Sequence, residues 1–299
     1  MAPRYILSCE STVDLPYSYM ESRGIPVIEY TYTMGGEEYT DDMGRDPDAM
    51  RRFYEKLGAG VFSKTSQISA YRYGEFFRGL LEQGDVLHIA FGTGMTQSVN
   101  NAYAAAEELR AEYPDRKLVI IDSLCSSSGY GLLVDSAADL RDEGRSMEDV
   151  QAWVMAHRQR VHHQFFSTDL THFRRSGRMS GPAATLGAIL SICPIMRLDD
   201  LGRIYAYDKV RGKKNAIQTT VDIMERHAVG GRDYSDKCFI CHSNCPDIAQ
   251  QTKAAVSERF PNIKGDIRIC DIGTTIAGHC GPGTVAVFFY GDERAPQKE

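Results

Sequence analysis

The first candidate for chemistry in this sequence is a cysteine-rich segment, CFICHSNC, which runs from Cys238 to Cys245. Its C-x-x-C-H spacing is typical of c-type haem attachment, and with Cys245 it offers four soft ligands of the kinds that bind zinc. The segment also has the pattern of a short buried strand, followed by a helix that begins at Pro246. Side chains alternate along a strand, so Cys238 and Cys241 should point to opposite faces. We therefore predict buried, unreactive cysteines here and no metal site.

Hydroxyl groups, glycines and one imidazole are concentrated in three predicted loops that follow strands, where α/β sheets gather their ligands. The loops are SKTSQIS with Thr65 and Ser66, FGTGMTQS with Thr93, Thr96 and Ser98, and GTTIAGHCGPGT with His279. The second loop lacks both common phosphate-loop patterns, and no G-x-S-x-G nucleophile motif or pair of acid–base carboxylates stands out. The remaining pattern indicates a pocket whose neutral hydroxyl and imidazole donors could hold an anionic head group.

Composition restricts the class of protein. The chain has 299 residues and a formal net charge of −6, so it has no excess of cations for nucleic acid, which we do not expect as a partner. The first sixteen residues include Arg4 and Glu10 and no long apolar run, and no 18-residue apolar stretch follows. We therefore expect no signal peptide, no transmembrane segment and a cytoplasmic protein whose eight cysteines are mostly reduced. Covalent haem attachment, which normally needs export, fits this expectation poorly.

Strand and helix patterns alternate along the whole chain, which predicts an α/β fold with mainly parallel sheets. Two successive helices are expected between Ser128 and about Arg160, interrupted near the segment DEGRS, and a hairpin is expected around Leu201-Gly202. We place a domain boundary after the helix pair, which gives two α/β domains, residues 1–160 and 161–299, with a ligand pocket between them. The C-terminal tail, DERAPQKE, is predicted to be frayed.

Several segments, in this order, resemble the DegV family, a group of bacterial fatty-acid-binding proteins. They are ILSCESTVDLP, GIPVIEYTYTMGGEEYTDD, KTSQIS, LTHFRRSGRMS, CPIMRLDDLGRIYAYDKVRGKKNAI and GHCGPGTVAVFF, which together span nearly the whole chain. FICHSNCPDIA is similar to a strand-His-Ser segment of the family, in which the cysteines are incidental. The sequence departs from the family pattern at Glu10 and Ile68, which stand where aspartate and proline are expected. Thr96 stands where the family has its head-group serine.

The resemblance implies a protein that binds a long-chain fatty acid and needs no cofactor besides this ligand. Thr65, Thr96 and His279 would hold the carboxylate, with Ser66 and Thr93 as further candidates. The first domain would supply the carboxylate-binding loops. The second would supply the His279 loop and an apolar tunnel for the acyl chain, which residues 183–190 could line.

The resemblance also implies that the protein catalyses nothing itself and is the acyl-binding subunit of a fatty acid kinase, which makes an acyl-phosphate. Arg178 and Arg211, each beside a glycine, would face this partner, and transient membrane contact is compatible with such a role. Two alternatives stay open. One is an enzyme acting on a small phosphorylated or carboxylated metabolite, with His279 as its acid–base group and Arg178 or Arg211 as its anion clamp. The other is a metal or haem protein built on the cysteine segment and His242.

Overall fold

The computed structural model describes residues 5–180 and 192–297, in which strands and helices alternate as predicted. The strands are β1 (Tyr5–Glu10), β2 (Val27–Ile28), β3 (Thr31–Met34), β4 (Glu37–Thr40), β5 (Ser63–Ser66), β6 (Asp85–Ala90), β7 (Leu118–Asp122), β8 (Val161–Ser167), β9 (Met179–Ser180), β10 (Ile192–Leu198), β11 (Ile204–Arg211), β12 (Phe239–His242), β13 (Arg268–Asp271) and β14 (Thr284–Tyr290). The helices are α1 (Tyr17–Ser22), α2 (Ala49–Gly58), α3 (Ala70–Leu81), α4 (Ser98–Glu112), α5 (Ser127–Asp142), α6 (Met147–His157), α7 (Thr171–Ser176), α8 (Lys213–His227), α9 (Pro246–Arg259) and α10 (Thr274–Cys280). The α/β class is confirmed.

The first sheet has the parallel arrangement that the sequence predicts. Its strands lie in the order β2-β1-β6-β7, and every pairing is parallel. Strand β6 is buried from Val86 to Ala90, as expected for a parallel strand with neighbours on both sides and helices over its faces. The loops that follow β6 and β7 therefore leave the sheet at the same edge, and both contribute to the cavity described below.

The second sheet is mixed, so the expectation of mainly parallel strands does not extend to it. Its seven strands lie in the order β13-β12-β14-β8-β10-β11-β9, and four consecutive pairings, from β12 to β11, are antiparallel. The predicted hairpin around Leu201-Gly202 forms between β10 and β11. The other antiparallel pairings join strands that are far apart in the chain, and the strand and helix patterns do not specify such pairings.

A small antiparallel sheet of order β4-β3-β5 corrects one local prediction. The segment SKTSQIS was predicted as a polar loop, but Ser63–Ser66 forms β5 and pairs with β3. Thr65 lies opposite Tyr32 in this pairing. Alternate residues of β5 are exposed, and an edge strand exposed on one face has a polar composition that resembles a loop.

Three helices begin at residues that are typical of helix starts. Ser69 precedes α3 and accepts the Arg72 N–H, and Ser146 precedes α6 and accepts the Asp149 N–H. Pro246 is the first residue of α9, where a missing N–H costs nothing. The predicted pair of helices before β8 is confirmed as α5 and α6, which are separated by a short turn.

Arg294 ties the C-terminal tail to both sheets, which corrects the prediction of a frayed tail. Its guanidinium is buried and donates to the carbonyl oxygens of Leu124, Val161 and Asp199, at 2.7, 2.7 and 2.9 Å. Leu124 follows the first sheet, whereas Val161 and Asp199 belong to the second sheet and its hairpin turn.

The division into domains after residue 160 stays a prediction. Among the described residues, no helix is long and apolar enough to span a bilayer.

Candidate ligand-binding site

A cavity of about 510 Å³ opens where the edge of the first sheet meets the second. Its volume is typical of sites that bind a small molecule. Of the residues singled out from the sequence, the structure brings six to its wall: Thr65, Ser66, Thr93, Thr96, Arg178 and His279. Other polar or aromatic side chains at the wall, which sequence analysis missed, include Tyr30, Phe91, Ser126, Arg203 and Thr275. Thr275 lies in the same glycine-rich segment as His279, which is a signal that could have found it.

Thr65 and His279 form the polar centre of this wall. The Thr65 hydroxyl and His279 Nε2 are 2.8 Å apart. His279 was predicted on a loop, but it lies in the last turn of α10, because Thr274–Cys280 closes into a short helix before the Gly281-Pro282-Gly283 turn. A threonine hydroxyl has one proton to donate and two lone pairs. If His279 carries its proton on Nε2, it donates to Thr65, and the Thr65 proton remains available for an anion in the cavity.

Burial controls the protonation of His279. Loss of water around the ring, and secondarily the positive charge of Arg178, lower the pKa of His279 to about 4. The ring is therefore neutral near pH 7. The cavity wall therefore offers a ligand neutral donors at Thr65 and His279, and cations at Arg178 and Arg203. Arg178 lies exposed at the end of the segment that follows α7, and its guanidinium donates to the Ser176 carbonyl.

The two threonines of the segment GTGMT have different hydrogen-bond partners. Thr93 donates its N–H and its hydroxyl to the Asp122 carboxylate, at 3.1 and 2.6 Å, so its hydroxyl proton is already used. The Thr96 hydroxyl accepts the Ser98 N–H at 3.3 Å, and this contact leaves its own proton for a ligand. A Cβ on Gly94 would collide with the Gly202 backbone, so glycine lets this loop touch the β10–β11 turn.

A small apolar extension of about 50 Å³ adjoins the cavity. The two spaces share Ser126, Phe173, Ile204, Ile276 and Cys280. The extension is also lined by Phe165, Leu198, Cys241, Ile272, Ala286 and Phe288, which come mainly from one face of the second sheet. The wall thus changes from hydroxyl-rich to apolar with depth. The predicted tunnel segment, residues 183–190, lies outside the described residues.

Comparison with known proteins identifies the family. The family model described as "Uncharacterised protein, DegV family" matches residues 7–292. A DegV domain-containing protein of Clostridium perfringens is 32% identical over 98% of this chain and 99% of its own. The chain belongs to the DegV family.

Solved structures of DegV proteins share the fold. A fatty-acid-binding DegV family protein from Thermus thermophilus superposes with a TM-score of 0.85, is 26% identical, and is matched over 96% of this chain and 99% of that one. The Fak B3 protein of Streptococcus pneumoniae fatty acid kinase, loaded with linoleic acid, has a TM-score of 0.82 and 21% identity, with coverages of 96% and 99%. At 21% identity, the comparison with the Fak B3 protein shows that the two chains share a fold.

The thiols of the cysteine segment contact other parts of this DegV protein. Cys241 lies in β12 with its Sγ 3.3 Å from the Ser127 hydroxyl, and the Cys245 thiol lies 3.3 Å from the Thr284 carbonyl oxygen. Burial raises the pKa of Cys241 well above its usual value and that of Cys245 to about 11, so both remain thiols near pH 7. Within residues 5–180 and 192–297, the four candidate ligands of this segment do not converge. The alternative of a cysteine-based metal or haem protein is thus not supported.

The two arginines predicted to face a partner occupy different places. Arg178 lines the cavity, whereas Arg211 is the exposed last residue of β11 and does not line it. Gly177 and Gly212, which adjoin them, have positive φ angles of 68° and 85° and open space around their Cα atoms. A partner's backbone therefore has room to approach at both places.

Proposed function

We propose that this DegV protein binds a long-chain fatty acid, with its carboxylate at Thr65 and Thr96 and part of its acyl chain entering the apolar extension. The observation that carries the proposal is the Thr65–His279 pair at the wall of a cavity that becomes apolar with depth. Both threonines line this cavity, and each hydroxyl has a proton that it can donate. Each buried methylene group contributes about 0.8 kcal/mol, so the chain supplies most of the affinity. The fatty acid bound by the Thermus thermophilus relative supports the same class of ligand.

The direct test is to identify what the protein carries. The chain is expressed heterologously, purified without detergent, and extracted with organic solvent for mass spectrometry. We expect about one fatty acid per chain, and delipidated protein should take up added palmitate. Protein that repeatedly carries no acyl ligand and takes none up would contradict the proposal.

Removing a head-group hydroxyl should weaken binding. Thr65→Ala or Thr96→Ala leaves the carboxylate short of one donor, and a hydrogen bond to a charged group contributes about 1.5–3 kcal/mol. We expect the Kd for palmitate to rise about ten- to a hundredfold for either substitution, measured by titration of delipidated protein.

Two matched variants serve as controls for this prediction. Thr96→Ser keeps the hydroxyl and should stay close to the parent. Thr93→Ala, whose hydroxyl donates to Asp122, should change the Kd less than Thr96→Ala does. Parental affinity in Thr96→Ala would mean that the carboxylate lies elsewhere.

We also propose that the loaded protein presents its carboxylate to a fatty acid kinase. The fold it shares with the Fak B3 protein is compatible with this role. Arg178 at the cavity and Arg211 outside it provide cations where nucleotide phosphates would arrive. In this proposal the DegV protein itself catalyses nothing.

We also propose a cytoplasmic location. The eight cysteines are all free thiols, which fits the reducing cytoplasm.

Arg211→Ala should separate partner recognition from ligand binding. Because Arg211 is exposed and does not line the cavity, we expect an unchanged Kd for palmitate. Acyl-phosphate formation with a cognate kinase should slow by about tenfold at low salt, since rim charges act mainly on association. The control is Arg226→Ala, an exposed arginine near the opposite end of α8, which should leave the rate unchanged. If Arg211→Ala instead emptied the pocket, the residue would belong to the ligand site.

The alternative of a metabolite-processing enzyme has weaker support. An acid–base residue works best when its pKa lies near the working pH, and the pKa of His279 is lowered to about 4. Of the two arginines considered as anion clamps for such an enzyme, Arg178 lines the cavity and Arg211 does not.

A further inference from the structure

His162, His227 and Asp292 form a cluster of potential metal ligands outside the cavity. Their ligand atoms all lie within 4.8 Å of one another. The Asp292 carboxylate oxygen Oδ1 is 2.9 Å from His162 Nε2 and 3.1 Å from His227 Nδ1. The backbone oxygen of Asp292 is also 3.0 Å from His162 Nε2. Among the described residues, this is the one set of three such side chains that converges on a point.

Three separate elements bring these side chains together. His162 is the second residue of β8, His227 is the last residue of α8, and Asp292 follows β14. Side chains alternate along β8, and His163 faces the apolar extension of the ligand cavity. His162 therefore points to the opposite face of the sheet, so the cluster and the fatty acid site lie on different faces.

Close packing fixes the approach of the three groups. A Cβ on Gly291 would lie 2.7 and 2.9 Å from Cδ2 and Nε2 of His162, so a side chain at position 291 would push the ring away. The His162 ring stacks on Phe289 and on the His227 ring, with centroid distances of 5.0 and 5.1 Å. The stacking fixes the orientation of the His162 ring next to the Asp292 carboxylate. A metal ligand that is already oriented loses little conformational entropy when it binds an ion.

The donor set selects a class of ion. Two imidazoles and one carboxylate are ligands of borderline divalent transition metals, whereas Mg²⁺ and Ca²⁺ prefer all-oxygen sites. The His227 and Asp292 side chains are 42% and 59% exposed, so an ion can enter and water can complete its coordination. The guanidinium of Arg294, whose charge acts on His162, is turned toward the carbonyl oxygens of Leu124 and Val161, and that of Arg160 donates to the Gly291 carbonyl oxygen at 3.1 Å.

We propose that His162, His227 and Asp292 bind a divalent transition-metal ion, with Zn²⁺ as the best fit. The ion would bond to His162 Nε2, His227 Nδ1 and a carboxylate oxygen of Asp292, and would replace the present hydrogen bonds between them. It would clamp the segment after β14 to the end of α8 and to β8. An ion that binds only the folded state stabilises it, so this site would hold the C-terminal part of the chain in place.

The probe is Co²⁺, added to protein treated with chelator and dialysed. We expect one Co²⁺ per chain, with visible d–d bands and no thiolate charge-transfer band, because no cysteine is among the ligands. Zn²⁺ should displace the Co²⁺ and raise the midpoint of thermal unfolding. His227→Ala and Asp292→Asn should each weaken Co²⁺ binding by more than about a hundredfold, since loss of even an outer-shell partner costs ten- to a hundredfold.

The control variant is Asp222→Asn, which removes a carboxylate of similar exposure from α8 and should bind Co²⁺ like the parent. Palmitate affinity should be unchanged in all three variants, because the two sites lie on different faces of the sheet. A parent protein that takes up no Co²⁺ would overturn the proposal. A thiolate charge-transfer band, or parental Co²⁺ affinity in His227→Ala and Asp292→Asn, would overturn it equally.

Discussion

Ile276→Trp should lower the affinity for palmitate by more than a hundredfold. Ile276 lies on α10 and lines both the cavity and its apolar extension, so it stands where the two spaces join. An indole ring at this place would fill the junction and keep about four methylene groups out of the extension. At about 0.8 kcal/mol for each methylene, the loss is about 3 kcal/mol. Titration of delipidated protein with palmitate measures it.

Ligand length provides the internal control for this prediction. Hexanoate is short enough to stay in the outer cavity, so its affinity should change much less than that of palmitate. Ile276→Val keeps the junction open and should bind palmitate much like the parent. If Ile276→Trp bound palmitate as the parent does, the acyl chain would take another route, and our assignment of the apolar extension would be wrong.

Glu10→Ala should lower the free energy of unfolding by about 3–5 kcal/mol, because it removes one member of a buried polar network. The Glu10 side chain is fully buried, and its carboxylate accepts hydrogen bonds from the hydroxyls of Tyr73 and Tyr30, at 2.6 and 3.0 Å. His88 Nε2 lies 3.5 Å away and has no other partner. Alanine would remove the acceptor of the Tyr30 hydroxyl and of His88 Nε2, and would leave the Tyr73 hydroxyl with the Ser98 hydroxyl, 3.3 Å away, as its partner. Urea unfolding should show an earlier midpoint with an unchanged slope.

Two variants make the interpretation of Glu10→Ala specific. Glu10→Gln keeps the size and an acceptor oxygen, so it should lose clearly less stability than alanine does. Glu82→Ala changes an exposed glutamate after α3 and should stay within about 0.5 kcal/mol of the parent. Tyr30 also lines the cavity, so Glu10→Ala should weaken palmitate binding as well. A stability loss below about 1 kcal/mol would show that the network contributes little.

Local patterns in the sequence determined most of the secondary structure and the fold class. The paired helices α5 and α6, the hairpin between β10 and β11, and the buried strand β12 were all predicted from periodicity and from turn residues. Such features depend on neighbours within a few positions, so the order of residues is enough to specify them. The motifs in their order also predicted the DegV family, which the comparisons confirm.

The sequence indicated which segments share the candidate cavity, but not the local structure of those segments. Thr65, Thr96 and His279 were chosen from three distant segments, and the structure places all three at one cavity. Their local conformations were partly wrong, because Thr65 lies on an edge strand and His279 ends a helix. A polar edge strand and a short glycine-containing helix both have the composition of a loop, and pairing with β3 decided the first of them.

Other features were decided by contacts between residues that are far apart in the chain. The antiparallel pairing of β14 with β8 joins segments about 120 residues apart, and no local pattern encodes that choice. Arg294 lies in a tail with the composition of a frayed end, but it is buried because three carbonyl oxygens from distant segments need a donor there. His162, His227 and Asp292 share no sequence motif. Only the packing of α8 and the segment after β14 around β8 brings their ligand atoms together.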